Sequence, residues 1–316
     1  MSFDLDSLRA HATRGPIVRV VVAATQGSVP REVGASMVVG PEELIDGTIG
    51  GGTLEYEAIA TARSALENGK DRLDRLPLGP SLGQCCGGSV TLLTEIWDVA
   101  RIMQVEGEAV VRPAPGATKV MPLAVSRVLA GGRSGTAVPA PAFIDGWMVE
   151  PVARPTRDIW VWGAGHVGRA LVSVLAPLPG LKLYWVDSSR DRFPDVLPPG
   201  VEQLISGNPA DLVSLASGSA EHFVLTYSHA LDLEICHRVL AQPFRYMGLI
   251  GSATKRARFR SRLAALGHGD AQIARMICPI GDPSLGKHPQ EIAVGVAAEI
   301  LRKRDLVGVG MTEESA

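Results

Sequence analysis

Two adjacent cysteines, Cys85 and Cys86, lie between Gly83-Gln84 and Gly87-Gly88 in a chain that has four cysteines in all. A thiolate is a strong nucleophile and a soft metal ligand once positive charge or backbone N–H groups lower its pKa. Adjacent side chains in an extended segment point to opposite sides, so the pair does not readily close on one metal together. The flanking glycines allow turns closed to other residues and let a ligand approach the backbone. The segment predicts one exposed, activated sulfur in a tight loop, with its neighbour turned inward; which cysteine is exposed stays open. The alternative is a pair of buried thiols, since free cysteine is among the most buried residue types. Cys236 and Cys278 read as structural.

A second candidate is Gly163-Ala164-Gly165-His166-Val167-Gly168, which follows the apolar run Ile159-Trp160-Val161-Trp162. Gly163, Gly165 and Gly168 have the spacing of a Rossmann phosphate turn: one makes the turn, one admits the pyrophosphate, one lets helix and strand pack. The helix that follows turns free N–H groups toward an anion. Asp187 ends the next apolar run, 24 residues after Gly163, where an acid accepts bonds from a ribose hydroxyl and favours NAD over NADP. Three further polar segments fall at strand ends: 227–232 with His229, 251–256 with Lys255 and Arg256, and 279–288. His229 is a candidate acid, base or ligand donor, His166 a candidate ligand contact, and Lys255 a candidate anion contact at a helix start; each has a packing or solvent-facing alternative. No ligand set with zinc spacing, no Gly-x-Ser-x-Gly and no Walker sequence is present.

The elements that must hold these residues fall into two textures. Residues 1–105 begin with a helix and a buried β-branched strand, Ile17 to Ala24. Glycine loops at 27–34 and 46–52 follow, then a helix from a Thr53 cap to about Glu67, and a strand from Ser89 to Trp97 leaving the cysteine loop. Three glycine loops in one domain suggest backbone amides gathered around something. Residues 106–155, rich in Pro, Gly and Ala, read as a linker or β extension with a strand in Val120 to Leu129. From 156 to 316, short apolar runs alternate with helices, the signature of a parallel sheet. The fold expected is α/β: a C-terminal Rossmann-type parallel sheet with a smaller α+β N-terminal domain.

Composition bounds the partners. Charged residues at 20%, hydrophobic residues at 46% and 35 glycines describe a globular chain rich in turns. A net charge of −2 supplies no global field for nucleic acid. No apolar run approaches the roughly 18 residues of a membrane span. Met1 to Arg14 has no apolar core of a signal peptide, and the sparse cysteines lack disulfide-like spacing, so a reducing cytoplasm is expected. The apolar C-terminal helix (Ile292, Val296, Ile300) suggests a homo-oligomer or, equally, a face that covers its own sheet.

Taken together these segments resemble the xanthine dehydrogenase accessory protein family, XdhC and CoxI. The resemblance rests on Gly27 to Pro30 with Gly34-Ala35, Thr48 to Gly52 with Leu54-Glu55, and Gln84 to Gly88. In the second half it rests on Val161 to Gly168, His229 to Asp232, Gly248 to Ser252, Cys278 to Gly281 and Lys287-His288-Pro289. Where relatives often carry two polar or acidic residues before the histidine, this chain has Tyr227-Ser228. The resemblance implies a carrier and not a dehydrogenase. Such a protein binds the molybdenum cofactor in its molybdopterin form, keeps it while a cysteine desulfurase exchanges an oxo for a sulfido ligand, and delivers it to apo-xanthine dehydrogenase. Its other partners are the proteins of molybdenum cofactor biosynthesis. Cys85 or Cys86 would then contact molybdenum or relay sulfur, with Gln84 beside them. Gly163, Gly165, His166, Gly168, Asp187, His229 and Lys255 would line the rest of the cofactor site. Two rivals stand: an NAD-dependent oxidoreductase, and a sulfur or nucleotidyl transferase acting on the cofactor.

Overall fold

The computed structural model describes residues 3–79, 87–133, 140–154 and 156–308. The chain divides into two compact units, Met1–Ala153 and Arg154–Ala316.

In the first unit, α1 (Leu5–Ala12) leads to β1 (Ile17–Gln26), β2 (Ser36–Val39), β3 (Leu44–Gly47), α2 (Gly52–Asn68), β4 (Arg72–Pro77) and β5 (Ser89–Trp97). These strands form an antiparallel sheet in the order β3-β2-β1-β5-β4. The β-branched run in β1 is buried on both faces. Val18, Val20 and Val22 pack with Leu54, Ala58 and Ala62 of α2. Val21 and Ala23 pack with Met148. Then follow α3 (Val99–Met103), β6 (Ala109–Pro113), α4 (Leu123–Arg133), β7 (Ala142–Ile144) and β8 (Trp147–Pro151), with the three strands in a second sheet, β6-β8-β7.

Two local expectations change here. The strand expected within Val120 to Leu129 is the helix α4. Val125, Val128 and Leu129 meet Trp147 and Val149 at helical spacing, a pattern a strand cannot present. The helix expected to be capped by Thr53 starts two residues earlier than that cap implies, at Gly52, and its N-cap is Gly51 at φ 77°.

The second unit holds β9 (Arg157–Trp162), α5 (His166–Leu175), β10 (Leu181–Asp187), β11 (Val201–Ile205), β12 (Glu221–Val224) and α6 (His229–Leu240). It continues with β13 (Tyr246–Leu249), α7 (Ala253–Ala265), α8 (Asp270–Ala274), β14 (Met276–Ile277) and α9 (Pro289–Gly308). The sheet is parallel throughout, in the order β11-β10-β9-β12-β13-β14. Counted from β9 this is the 3-2-1-4-5-6 order of the doubly wound fold, with its switch point between β9 and β12. α5 and α9 share one apolar layer, while α6 and α7 share the other.

Helices do not separate every pair of strands. A 3-10 turn at Arg190–Arg192 stands between β10 and β11, where Pro194, Pro198 and Pro199 interrupt any longer helix. Val296 and Ile300 of α9 are buried, and Ile292 packs beside them against Leu171 and Leu175 of α5. The apolar face that suggested a homo-oligomer therefore covers its own sheet.

Candidate functional site

The phosphate turn stands at the switch point, and its glycines are there for steric reasons. Gly163 has φ 121°, and a Cβ at that position would lie 2.6 Å from Leu225 O on the neighbouring strand end. A Cβ on Gly168 would run into Gly163 O, so α5 could not pack against the turn. α5 begins after Gly165, and no side chain among the described residues caps it. By contrast Ser228 caps α6 and Ser252 caps α7. The first-turn N–H groups of α5 thus have neither an intrahelical nor a side-chain acceptor. His166 is the first residue of α5 and is exposed.

Asp187 occupies the expected place at the end of β10, but its oxygens face the chain itself. It is 3% exposed. Ala164 N donates to Oδ2 at 2.6 Å and Ser188 N to Oδ1 at 2.6 Å. The Arg192 guanidinium lies 2.9 Å from Oδ1 and rests 4.2 Å from the centre of the Tyr227 ring. Arg169 closes the same group from the other side, donating to Ala164 O at 3.2 Å and Arg192 O at 2.6 Å. Arg192, and its contact with Tyr227, escaped the sequence reading, which had Tyr227 only in the polar segment 227–232. The cation–π pair joins loops that follow different strands, and no local spacing announces it.

Farther along the edge, Lys255 is not a free cation at the start of α7. Its Nζ donates to Asp232 Oδ2 at 2.6 Å and Ile250 O at 2.9 Å. Asp232, fully buried, accepts at Oδ1 from Thr226 N at 3.0 Å and Thr226 Oγ1 at 2.7 Å. The pair ties the ends of β12 and β13 together. His229, the first residue of α6, is exposed beside it. Cys236 and Cys278 are both buried, and burial pushes both thiols up, which keeps them protonated at neutral pH and fits a structural role.

In the first unit, Gln84, Cys85 and Cys86 lie outside the described residues. The ends of their segment are fixed: Leu78 N donates to Gly88 O at 2.7 Å, at the top of the β4–β5 pairing. Gly88 sits so close to the 26–28 backbone that a Cβ there would collide with Gln26 O and Ser28 O. Gly50 in turn lies against Pro30, and Arg31 Nη1 donates to Thr48 O at 3.5 Å. The glycine loops at 27–34 and 46–52 thus meet at Pro30 and Gly50, with Gly88 against the start of the first, and one carboxylate accounts for the amides of the second. Glu55 Oε1 accepts from Ile49 N at 2.9 Å, Gly50 N at 3.2 Å, Gly51 N at 2.9 Å and the Thr48 hydroxyl. Burial pushes the Glu55 carboxyl up, but these hydrogen bonds outweigh it and hold the group below the usual carboxylate range.

Fold and site define a protein with a doubly wound nucleotide-type sheet in its second unit and, in its first, glycine loops in a unit whose sequence carries a double cysteine. Residues 159–300 match the family model described as the XdhC Rossmann domain, and residues 10–77 match that of the XdhC and CoxI family. The chain belongs to the XdhC and CoxI family. It is 26% identical over 295 residues, 92% of this chain and 44% of that protein, to "Uncharacterized protein YqeB" of Escherichia coli (strain K12). A protein of Bacillus subtilis (strain 168), described as a probable xanthine dehydrogenase subunit, is 27% identical over 158 residues, 49% of this chain and 46% of that protein. The chain thus spans less than half the length of these curated relatives. A crystal structure described as a xanthine dehydrogenase from Bacillus halodurans shares the fold at a TM-score of 0.69 and 18% identity, over 99% of this chain and 98% of that one.

Proposed function

We propose that the protein serves xanthine dehydrogenase maturation as a carrier of the molybdenum cofactor, holding it during sulfuration and passing it to the apo-enzyme in a reducing cytoplasm. A cysteine desulfurase and the proteins of cofactor biosynthesis would be its other partners. Membership of the XdhC and CoxI family supports the reading, as does the name of the Bacillus subtilis relative. The observation that carries it furthest is the uncapped start of α5 at the switch point, with the Arg192 cation nearby.

The donor chemistry suits the group. A terminal phosphate fits free helix N–H groups beside an arginine. A dithiolene-bound molybdenum suits a thiolate from Cys85 or Cys86. When bound, the cofactor would supply the redox centre that the recipient enzyme needs. The residues of this chain would bind the phosphate, orient the tail and shield the metal. No helix among the described residues is long and apolar enough to cross a membrane.

The deciding experiment titrates the purified protein with molybdenum cofactor, comparing wild type with Cys85→Ala and Cys86→Ala. Near-stoichiometric binding, weakened at least tenfold by one of the two changes, is expected and identifies the contacting sulfur. Binding indifferent to both, or none, overturns the reading. The oxidoreductase alternative draws on the strand order and on the position of Asp187. It requires micromolar NADH binding and turnover. The sulfur-transferase alternative requires a persulfide, seen by mass, on Cys85 or Cys86.

A further inference from the structure

In a dinucleotide-binding Rossmann unit the acid ending the second strand reads the ribose, and the adenosine lies over that strand end. Here the second strand is β10, the first is β9, and the fourth, β12, lies on the other side of β9. β10 and β12 are therefore two strand spacings apart, roughly 10 Å. The Arg192 guanidinium touches Asp187 at the end of β10 and the Tyr227 ring from the loop after β12, so the Arg192–Tyr227 pair links the loops on either side of β9, at the end where the phosphate turn leaves it. Asp187 is 3% exposed, whereas Tyr227 is 67% exposed and the Arg192 side chain 30%. The acid is thus covered by a cation and a ring that themselves meet solvent. The Arg192 backbone is pinned as well, since its carbonyl accepts from Arg169, which also holds Ala164 O.

We propose that the Asp187–Arg192–Tyr227 bridge is a specificity filter: it closes the switch point to ribose-bearing dinucleotides and admits a phosphate monoester carrying a flat ring. Asp187 then acts as a positioning residue for Arg192 and for the turn, not as a ribose ligand. Two physical effects favour the monoester. A phosphate gains a charge-assisted, planar donor pair from Arg192 in addition to the helix N–H groups. An incoming ribose would have to displace Arg192 from a nearly buried carboxylate, leaving that charge without its partner. The tyrosine contributes an exposed aromatic face at the same mouth. The inference deepens the carrier reading and rests on it for the identity of the cargo, since a filter of this kind selects the molybdopterin form over one extended by a nucleotide. The filter itself depends on neither the cysteines nor the metal.

The test measures calorimetric binding of two probes, riboflavin 5′-phosphate as a flat-ring monophosphate and NADH as a dinucleotide, to the full chain. Wild type is expected to favour the monophosphate at least tenfold. Arg192→Ala, which uncovers Asp187, is expected to weaken the monophosphate at least tenfold and to tighten NADH, inverting the preference. Arg192→Lys should restore part of the monophosphate affinity, and Tyr227→Leu should fall between wild type and Arg192→Ala. A mere folding defect would weaken both probes and would not be rescued by lysine. Wild type that prefers NADH, binds both alike or binds neither overturns the filter, as does Arg192→Ala that shifts both probes in the same direction or shifts neither. Loss of cofactor binding in the cysteine variants tests the carrier separately: an inverted preference with no cofactor binding keeps the filter and removes the cargo assignment.

Discussion

Glu55 and Asp187 are both carboxylates whose work is to hold a glycine turn in shape. At Glu55 one oxygen gathers three successive amides and a hydroxyl, so the loop entering α2 has its donors satisfied by a side chain one turn into that helix. Glu55→Ala leaves those amides without an acceptor, a loss of about 1–3 kcal/mol. Urea unfolding should record it, with faster exchange of the Ile49, Gly50 and Gly51 amides. Glu55→Gln, which keeps an acceptor oxygen, should recover most of the protection at neutral pH. The pH dependence has a definite sign. The folded carboxyl titrates below its unfolded value, so its contribution is complete above the usual carboxylate range and is lost as pH falls through the lowered value. In Glu55→Gln that acid-side loss should vanish. Stability that rises on acidification in wild type would contradict this account.

At the scale of elements, β12 carries a buried titratable group that the sequence concealed. His222 is fully buried, accepts at Nδ1 from Trp162 Nε1 at 3.2 Å, and faces Trp160 across the strand pairing. Burial pushes its pKa down to about 3. The unfolded chain binds the proton near the ordinary histidine value, about 6.5. Between those two values the unfolded state holds more protons, so stability falls as pH drops below about 6.5, by up to about 1.4 kcal/mol per pH unit. Unfolding midpoints at pH 7, 6 and 5 should show this decline in wild type and a flatter profile in His222→Gln. An unchanged slope in the variant would assign the acid sensitivity to other groups. The neighbouring element β9 shows why such positions are hard to read: Trp160 and Trp162 look like part of an apolar run, yet one of them donates to the histidine.

At the scale of the whole molecule, each unit has its own means of holding charge inside. In the first, Arg19, Glu150, Arg112 and Glu95 form an alternating chain across β1, β8, β6 and β5, with Arg19 to Glu150 at 2.7 Å and Arg112 to Glu95 at 2.6 Å. Both arginines lie over the Phe3 ring. Burial pushes Glu150 up, but Arg19 and Arg112 outweigh it and hold the carboxyl below the usual range. Arg112→Met removes the cation shared by two buried carboxylates and should destabilise the protein by about 3–5 kcal/mol, read by chemical denaturation. A loss under about 1 kcal/mol would mean that the carboxylates escape to solvent or take up protons without disturbing the fold. In the second unit, Arg157 binds Glu221 at 2.6 Å and Ile300 O at 2.9 Å, fastening β9 to β12 and to α9.

Much of the fold was written in local pattern. The β-branched run of β1, the alternation of apolar segments with helices after residue 156, and the Gly163, Gly165, Gly168 spacing each reflect a constraint acting within about ten residues, and each stands in the structure where the sequence put it. The helix α4 was misread because the partners of Val125, Trp147 and Val149, come from a later hairpin. The candidate site was legible in its glycines and in the place of Asp187, because backbone conformation and strand ends are local properties. What Asp187, Lys255 and Glu55 bind was not legible. Their acceptor and donor partners are set by which strands become neighbours and which loops meet above the sheet, and a side chain's charge is satisfied in three dimensions. The sequence by itself determined the family, the Rossmann turn and the double cysteine, whereas tertiary contact alone decided that the acid beside the turn faces an arginine and not solvent.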